Sequence, residues 1–144
     1  MIQTLFQEPI DTLLVESDNI YLIVFNVDEE EIVQWIPSYY QNIIKETLIE
    51  YTKIPYSYGD IEYRTVFDDE NQSYCIVTLG WHGPKRIHGC LIHLEIIDGK
   101  IWVQRDDTED GVTYDLEEAG IPKDKIVLGF HPPNVRKHTG YAVA

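Results

Sequence analysis

The sequence predicts an α+β fold: an antiparallel β-sheet with flanking helices, preceded by a short α-β-β appendage. Three observations carry that reading. Asp98-Gly99 lies between two apolar runs, a hairpin signal because a two-residue type I′ turn needs the positive φ that Asp and Gly tolerate. Several alternating or apolar runs follow one another through short turns, which leaves no room for parallel crossovers. Helical patterns lie before and after the strands.

Taken in order, residues 4–16 place Leu5, Phe6, Ile10, Leu13 and Leu14 at helical spacing, with Pro9 near the helix start. Residues 21–25 predict a strand from their β-branched and aromatic content, and residues 31–36 a second strand after an acidic turn. Ser38-Tyr-Tyr-Gln41 fits a capping box, in which the serine and glutamine side chains satisfy free N–H groups at a helix start. The helix it opens carries Tyr40, Ile43, Ile44, Thr47, Leu48 and Tyr51 on one face and stops at Ile54-Pro55. Residues 60–68 alternate, with Ile61, Tyr63, Thr65 and Phe67 on one side. Residues 74–81 are apolar on both faces, as a central strand would be.

The Asp98-Gly99 turn sets a register in which Ile97 opposes Lys100, Ile96 opposes Ile101, Leu94 opposes Val103 and His93 opposes Gln104. Ile92, Leu94, Ile96, Ile101 and Val103 then form a core face. His93, Glu95, Trp102 and Gln104 form a mixed surface partly covered by another element or another chain. Residues 112–119 predict a short helix stopped by Gly120 and Pro122, and residues 126–130 a short strand or helical turn. Repeats and low-complexity tracts are absent.

A chain of 144 residues can bury a substantial core and fold without staples. Its start reads as no secretory signal, and no apolar run approaches the roughly 20 residues that span a bilayer, so a cytoplasmic, non-membrane protein is expected. Cys75 and Cys90 read as buried thiols in a reducing compartment. The net charge of −14 disfavours direct nucleic-acid binding, since neutralising phosphates needs clustered Lys and Arg. Lys85-Arg86 and Arg136-Lys137 are too short to reverse this. The charge is uneven: residues 1–37 hold eight acids and no Lys or Arg, whereas residues 38–144 hold seventeen acids and eleven bases. A boundary is therefore expected at Pro37-Ser38, between segments 1–37 and 38–144. The first is too small to be stable alone and must dock on something.

No phosphate-cradling loop, G-x-S-x-G elbow or H-E-x-x-H occurs, so no catalytic residue, cofactor or metal is assigned. His82, His88, Cys90 and His93 invite a zinc site, but in a regular strand His93 points away from His88 and Cys90, and only a bulge at Gly89 would bring them together. Residues 106–117 place Asp106, Thr108, Asp110, Gly111 and Glu117 where a calcium loop would, yet the preceding strand and Thr113 depart from that pattern. A turn leading into a helix accounts for the same residues. Arg86, His131 and Arg136 could meet at one edge to bind an anion; ordinary surface pairing in an acidic chain is the alternative. The candidate interaction surface comprises Trp81, Arg86, His88, His93 and Trp102, with Thr108, Glu109, His131 and Arg136.

Residues 38–144 resemble the XisI family, small cyanobacterial proteins known as excision controlling factors for the fdxN element. The matching motifs are Tyr58-Gly-Asp-Ile-Glu62, Gly80-Trp81, Arg86-Ile-His-Gly-Cys90, Asp98-Gly-Lys-Ile-Trp102, Thr108-Glu109 with Gly111, Gly120-Ile-Pro-Lys123, Ile126-Val-Leu-Gly-Phe-His131 and Thr139-Gly-Tyr-Ala-Val143. Residues 1–37 are similar to the C-terminal end of XisH, the companion protein; the part of XisH that carries its nuclease-like residues has no counterpart here. The resemblance implies control of site-specific recombination during heterocyst differentiation, alongside a recombinase and an XisH-like protein. An interaction module for that XisH-like partner is the expected role. A small-molecule or metal-dependent enzyme built on Arg86, His88, His93 and His131 is the competing reading, and a structural homo-oligomer the third.

Overall fold

The computed structural model describes residues 2–4, 12–17, 20–25, 29–55 and 60–144, with side chains from Ser38 onward. Strands β1 (Ile2–Thr4), β2 (Thr12–Ser17) and β3 (Ile20–Phe25) form an antiparallel three-stranded sheet in that order. Helix α1 (Glu29–Thr52) follows.

The class is α+β as expected, but three assignments near the start are corrected. Of the helix predicted over 4–16, Thr4 and residues 12–16 are strand; Leu5, Phe6, Pro9 and Ile10 lie outside the described residues. Strand β2 pairs along its whole length with β3, from Thr12↔Phe25 to Ser17↔Ile20, and that pairing outweighs a weak helical periodicity. Residues 31–36 lie in α1 rather than in a strand. A short apolar run does not distinguish strand from helix, and Glu29, Glu30 and Glu31 favour the positive end of a helix dipole. Ser38 accordingly lies inside α1, not at its start. Gln41, expected in a capping box, instead donates from Nε2 to the carbonyl of Asp69 at 3.2 Å. Pro37 has no N–H to give the helix, and α1 nevertheless runs across the Pro37-Ser38 position.

The second sheet contains β4 (Asp60–Asp68), β5 (Ser73–His82), β6 (Lys85–Ile97), β7 (Lys100–Asp106) and β8 (Ile126–Leu128), in the order β4-β5-β6-β7-β8. The first four form an antiparallel meander. Strand β8 is parallel to β7, with Ile101↔Ile126 and Val103↔Leu128, so one parallel crossover does occur. Such a connection needs about a dozen residues or more, and residues 107–125 provide them, including helix α2 (Val112–Glu118). Gly120, at φ 102°, ends α2: its N–H reaches Glu117 O and that of Ile121 reaches Leu116 O, both at 3.0 Å, while Leu116 and Ile121 pack in the core.

One face of α1 holds Tyr40, Ile43, Ile44 and Leu48 against the inner face of this sheet, where Tyr74, Ile76, Ile92, Leu94, Ile101 and Val103 are buried. The β4–β5 turn is tied to the helix by Asp69, whose carboxylate accepts from Lys45 Nζ at 2.9 Å and from the hydroxyl of buried Tyr74 at 2.8 Å. The Asp98-Gly99 turn has φ 51° and 76°, as a type I′ turn requires, and the expected pairs from Ile97↔Lys100 to Leu94↔Val103 are present. Beyond them the register shifts: His93 opposes Arg105 rather than Gln104, which bulges. Among the described residues no helix is long and apolar enough to cross a membrane.

Candidate interaction face

Strand parity places the outer face of the sheet, opposite α1. On β4 it carries Glu62, Arg64 and Val66, paired with Leu79, Val77 and Cys75 of β5. On β6 a bulge decides the arrangement. Ile76 pairs with Ile92 but Val77 pairs with Cys90, so Leu91 is the extra residue. In a regular strand His88 and His93 would face opposite ways; the bulge reverses the parity and brings His88, Cys90, His93 and Glu95 to one side. From the sequence a bulge is suggested only at Gly89. Nothing about Leu91 marks it, since a bulge here is set by pairing on both neighbouring strands.

Trp81, Arg86, His88, His93 and Trp102 thus share a sheet face. Trp81 is 51% exposed, with the Arg86 guanidinium 5.4 Å from its ring centroid and Arg86 Nη1 donating to Gly80 O at 3.3 Å. His88 is exposed opposite Leu79. His93 stands opposite Cys75, with Nε2 2.9 Å from Ser73 Oγ. Trp102 opposes Glu95 and lies under Arg136, whose guanidinium is 5.0 Å from the ring. Arg136 also donates from Nε to His131 O at 2.8 Å and from Nη1 to Val143 O at 3.3 Å. It clamps helix α3 (Pro133–Arg136) and the tail over the β7–β8 end of the face. Gly129 permits that approach, because a Cβ there would meet Gln104 Oε1 at 2.7 Å.

Arg86 and Arg136 do not meet. Arg86 is nine residues from Glu95 along β6, about 30 Å of strand, so the anion site considered for Arg86, His131 and Arg136 is not assembled. Thr108 and Glu109 belong to the turn before α2. There Asp106 accepts from the N–H of Thr108 at 3.0 Å and that of Val112 at 2.7 Å, which engages both carboxylate oxygens in starting the helix. Cys75 and Cys90 are half-buried rather than fully buried, and free. Burial pushes both thiols up, which keeps them protonated and poorly nucleophilic. Among the described residues no three His, Cys, Asp or Glu side chains are placed to hold a metal ion.

What remains open is the β4–β6 part of the face, where Val66 and Trp81 are each about half exposed beside partly buried Val77 and Leu79. A mixed apolar and charged sheet surface of this kind suits contact with protein. The XisI protein family matches residues 36–143. The chain belongs to the XisI family. Among solved structures it is similar to a XisI-like protein from Anabaena variabilis, with 37% identity and a TM-score of 0.69 over 75% of this chain and 99% of that one. It is also similar to the fdxN element excision controlling factor XisI from the same organism, with 32% identity and a TM-score of 0.65 over 76% and 99% of the two chains. No curated protein matches. Both XisI structures are thus covered almost end to end, while about a quarter of this XisI-family chain has no counterpart in them.

Proposed function

We propose that this protein is an accessory controlling factor for excision of a DNA element by site-specific recombination, and that it acts as a non-enzymatic interaction module for an XisH-like, nuclease-fold partner. Membership of the XisI family carries the first part, since a similar solved structure is a controlling factor of that kind. The open Val66–Trp81 face supports the second, because it offers apolar contact area without an activated nucleophile beside it. Net charge favours a protein over DNA as the direct contact. Residues 1–37, similar to the C-terminal end of XisH, act in this reading as a tethered mimic of the partner.

Mixing the full chain with an XisH-like protein and measuring the mass by light scattering tests the proposal. A complex is expected, weakened by Trp81→Ser and strengthened in a chain that begins at Glu29. Absence of a complex with either chain, or tight and salt-sensitive binding of the chain alone to duplex DNA, would overturn it.

A further inference from the structure

On the helical side of the sheet a groove of about 840 Å³ opens between α1 and α2. Its apolar walls come from Ile43, Tyr51 and Ala119, and two large apolar side chains stand at its lip, Ile54 at 55% and Tyr114 at 61% exposure. Side chains of that size left in water beside a concave apolar surface mark a contact site rather than a core. Among the described residues, the charged side chains that line the groove are all carboxylates: Glu46, Glu50, Asp110 and Asp115. Asp115 accepts the Tyr51 hydroxyl at 2.7 Å. Glu50 is met by Lys53 at 2.7 Å, but both side chains are more than 60% exposed, so that pair yields readily to a competing cation.

We propose that this groove binds a basic amphipathic segment of a partner polypeptide. The apolar side of the segment would pack on Tyr51, Ile54 and Tyr114, and its Lys or Arg side chains would reach Glu46, Glu50 and Asp110, their stems covering apolar surface on the way. From Ile43 to the end of α1 at Thr52 the helix rises about 14 Å, enough for an occupant of roughly two to three turns. Charge complementarity selects this occupant. Residues 1–37 bring eight acids and no Lys or Arg, and a second copy brings a net charge of −14, so neither suits a carboxylate rim. The groove lies across the sheet from Trp81, and the inference stands independently of the XisH-like partner.

The probe is a labelled, amidated peptide of about fourteen residues, ~21 Å as a helix, with leucines at helical spacing and lysines elsewhere. Its comparator has the same composition with the leucines dispersed. Fluorescence anisotropy with the full chain should show the dispersed peptide binding at least about tenfold more weakly. The double variant Glu46→Gln/Glu50→Gln, and separately Tyr114→Ser, should each weaken the amphipathic peptide about fivefold or more. Asp60→Asn/Glu62→Gln, which removes two charges from β4, should leave its affinity unchanged. All five positions are exposed, and unchanged circular dichroism confirms the fold of each variant. No binding would overturn the proposal outright, and equal binding of both peptides, or equal effects of the β4 and groove variants, would overturn it in favour of plain attraction to an acidic protein. Light scattering with the XisH-like protein separates the two readings, because the groove variants should leave that complex intact.

Discussion

Tyr74 shows how much one polar atom decides. Its ring is fully buried, and its hydroxyl reaches the Asp69 carboxylate at 2.8 Å. Tyr74→Phe removes that bond while keeping the ring, and should cost about 0.5–1.5 kcal/mol in urea unfolding. The hydrogen bonds from Lys45 and then Tyr74 hold the Asp69 carboxyl below its ordinary value of 3.8. A depressed carboxylate stabilises the fold above its unfolded pKa, and that contribution is lost as the pH falls through the lower, folded value. The stability difference between the protein and an Asp69→Asn variant should therefore be full near neutrality, begin to shrink as the pH falls past 3.8, and be lost only below the depressed folded-state value, a trend that unfolding curves across the acid range would reveal. Arg136 serves differently, holding the tail through Trp102, His131 O and Val143 O. Arg136→Ala should cost about 1–2 kcal/mol and shift the tryptophan emission, whereas Arg136→Lys should restore little, because a point charge cannot both stack and bridge two carbonyls.

Among elements, β4 lies tight against β5 at Gly80. Its φ of 150° and a Cβ that would sit 1.9 Å from Asp60 O leave no space for a side chain. Gly80→Ala should push the strands apart at a cost of about 1–3 kcal/mol, seen as a lower urea midpoint and faster amide exchange in β4. By contrast, the Asp98-Gly99 turn should accept Asp98→Asn without loss, since Asn tolerates the same positive φ. The hairpin and the 60–68 alternation were legible because each depends on residues close in the chain. The Leu91 and Gln104 bulges were not, because they adjust β6 and β7 to several neighbours at once. For residues 31–36 the signal was ambiguous in itself, as an apolar run of that length fits either element.

Viewed whole, the chain carries its two proposed contact surfaces on opposite sides of one sheet: the outer face around Trp81 and the acidic groove between α1 and α2. In the proposed reading, control of excision runs through proteins rather than through DNA, and the net charge of −14 supports that choice. At about 0.15 M salt, duplex DNA should not shift in a gel with the isolated chain, and lowering the salt should produce at most weak, sequence-independent association.

By itself the sequence determined the α+β class, the core face of the hairpin, the helix face of residues 40–51, the acidic character and the family motifs of residues 38–144. These depend on periodicity, turn chemistry and composition, which are local. Only the tertiary structure decided that His88 and His93 share a face, that Arg86 and Arg136 lie far apart, and that β8 runs parallel to β7. Each of those depends on register between strands, and a shift of one residue exchanges the two faces of a sheet without leaving a mark on composition.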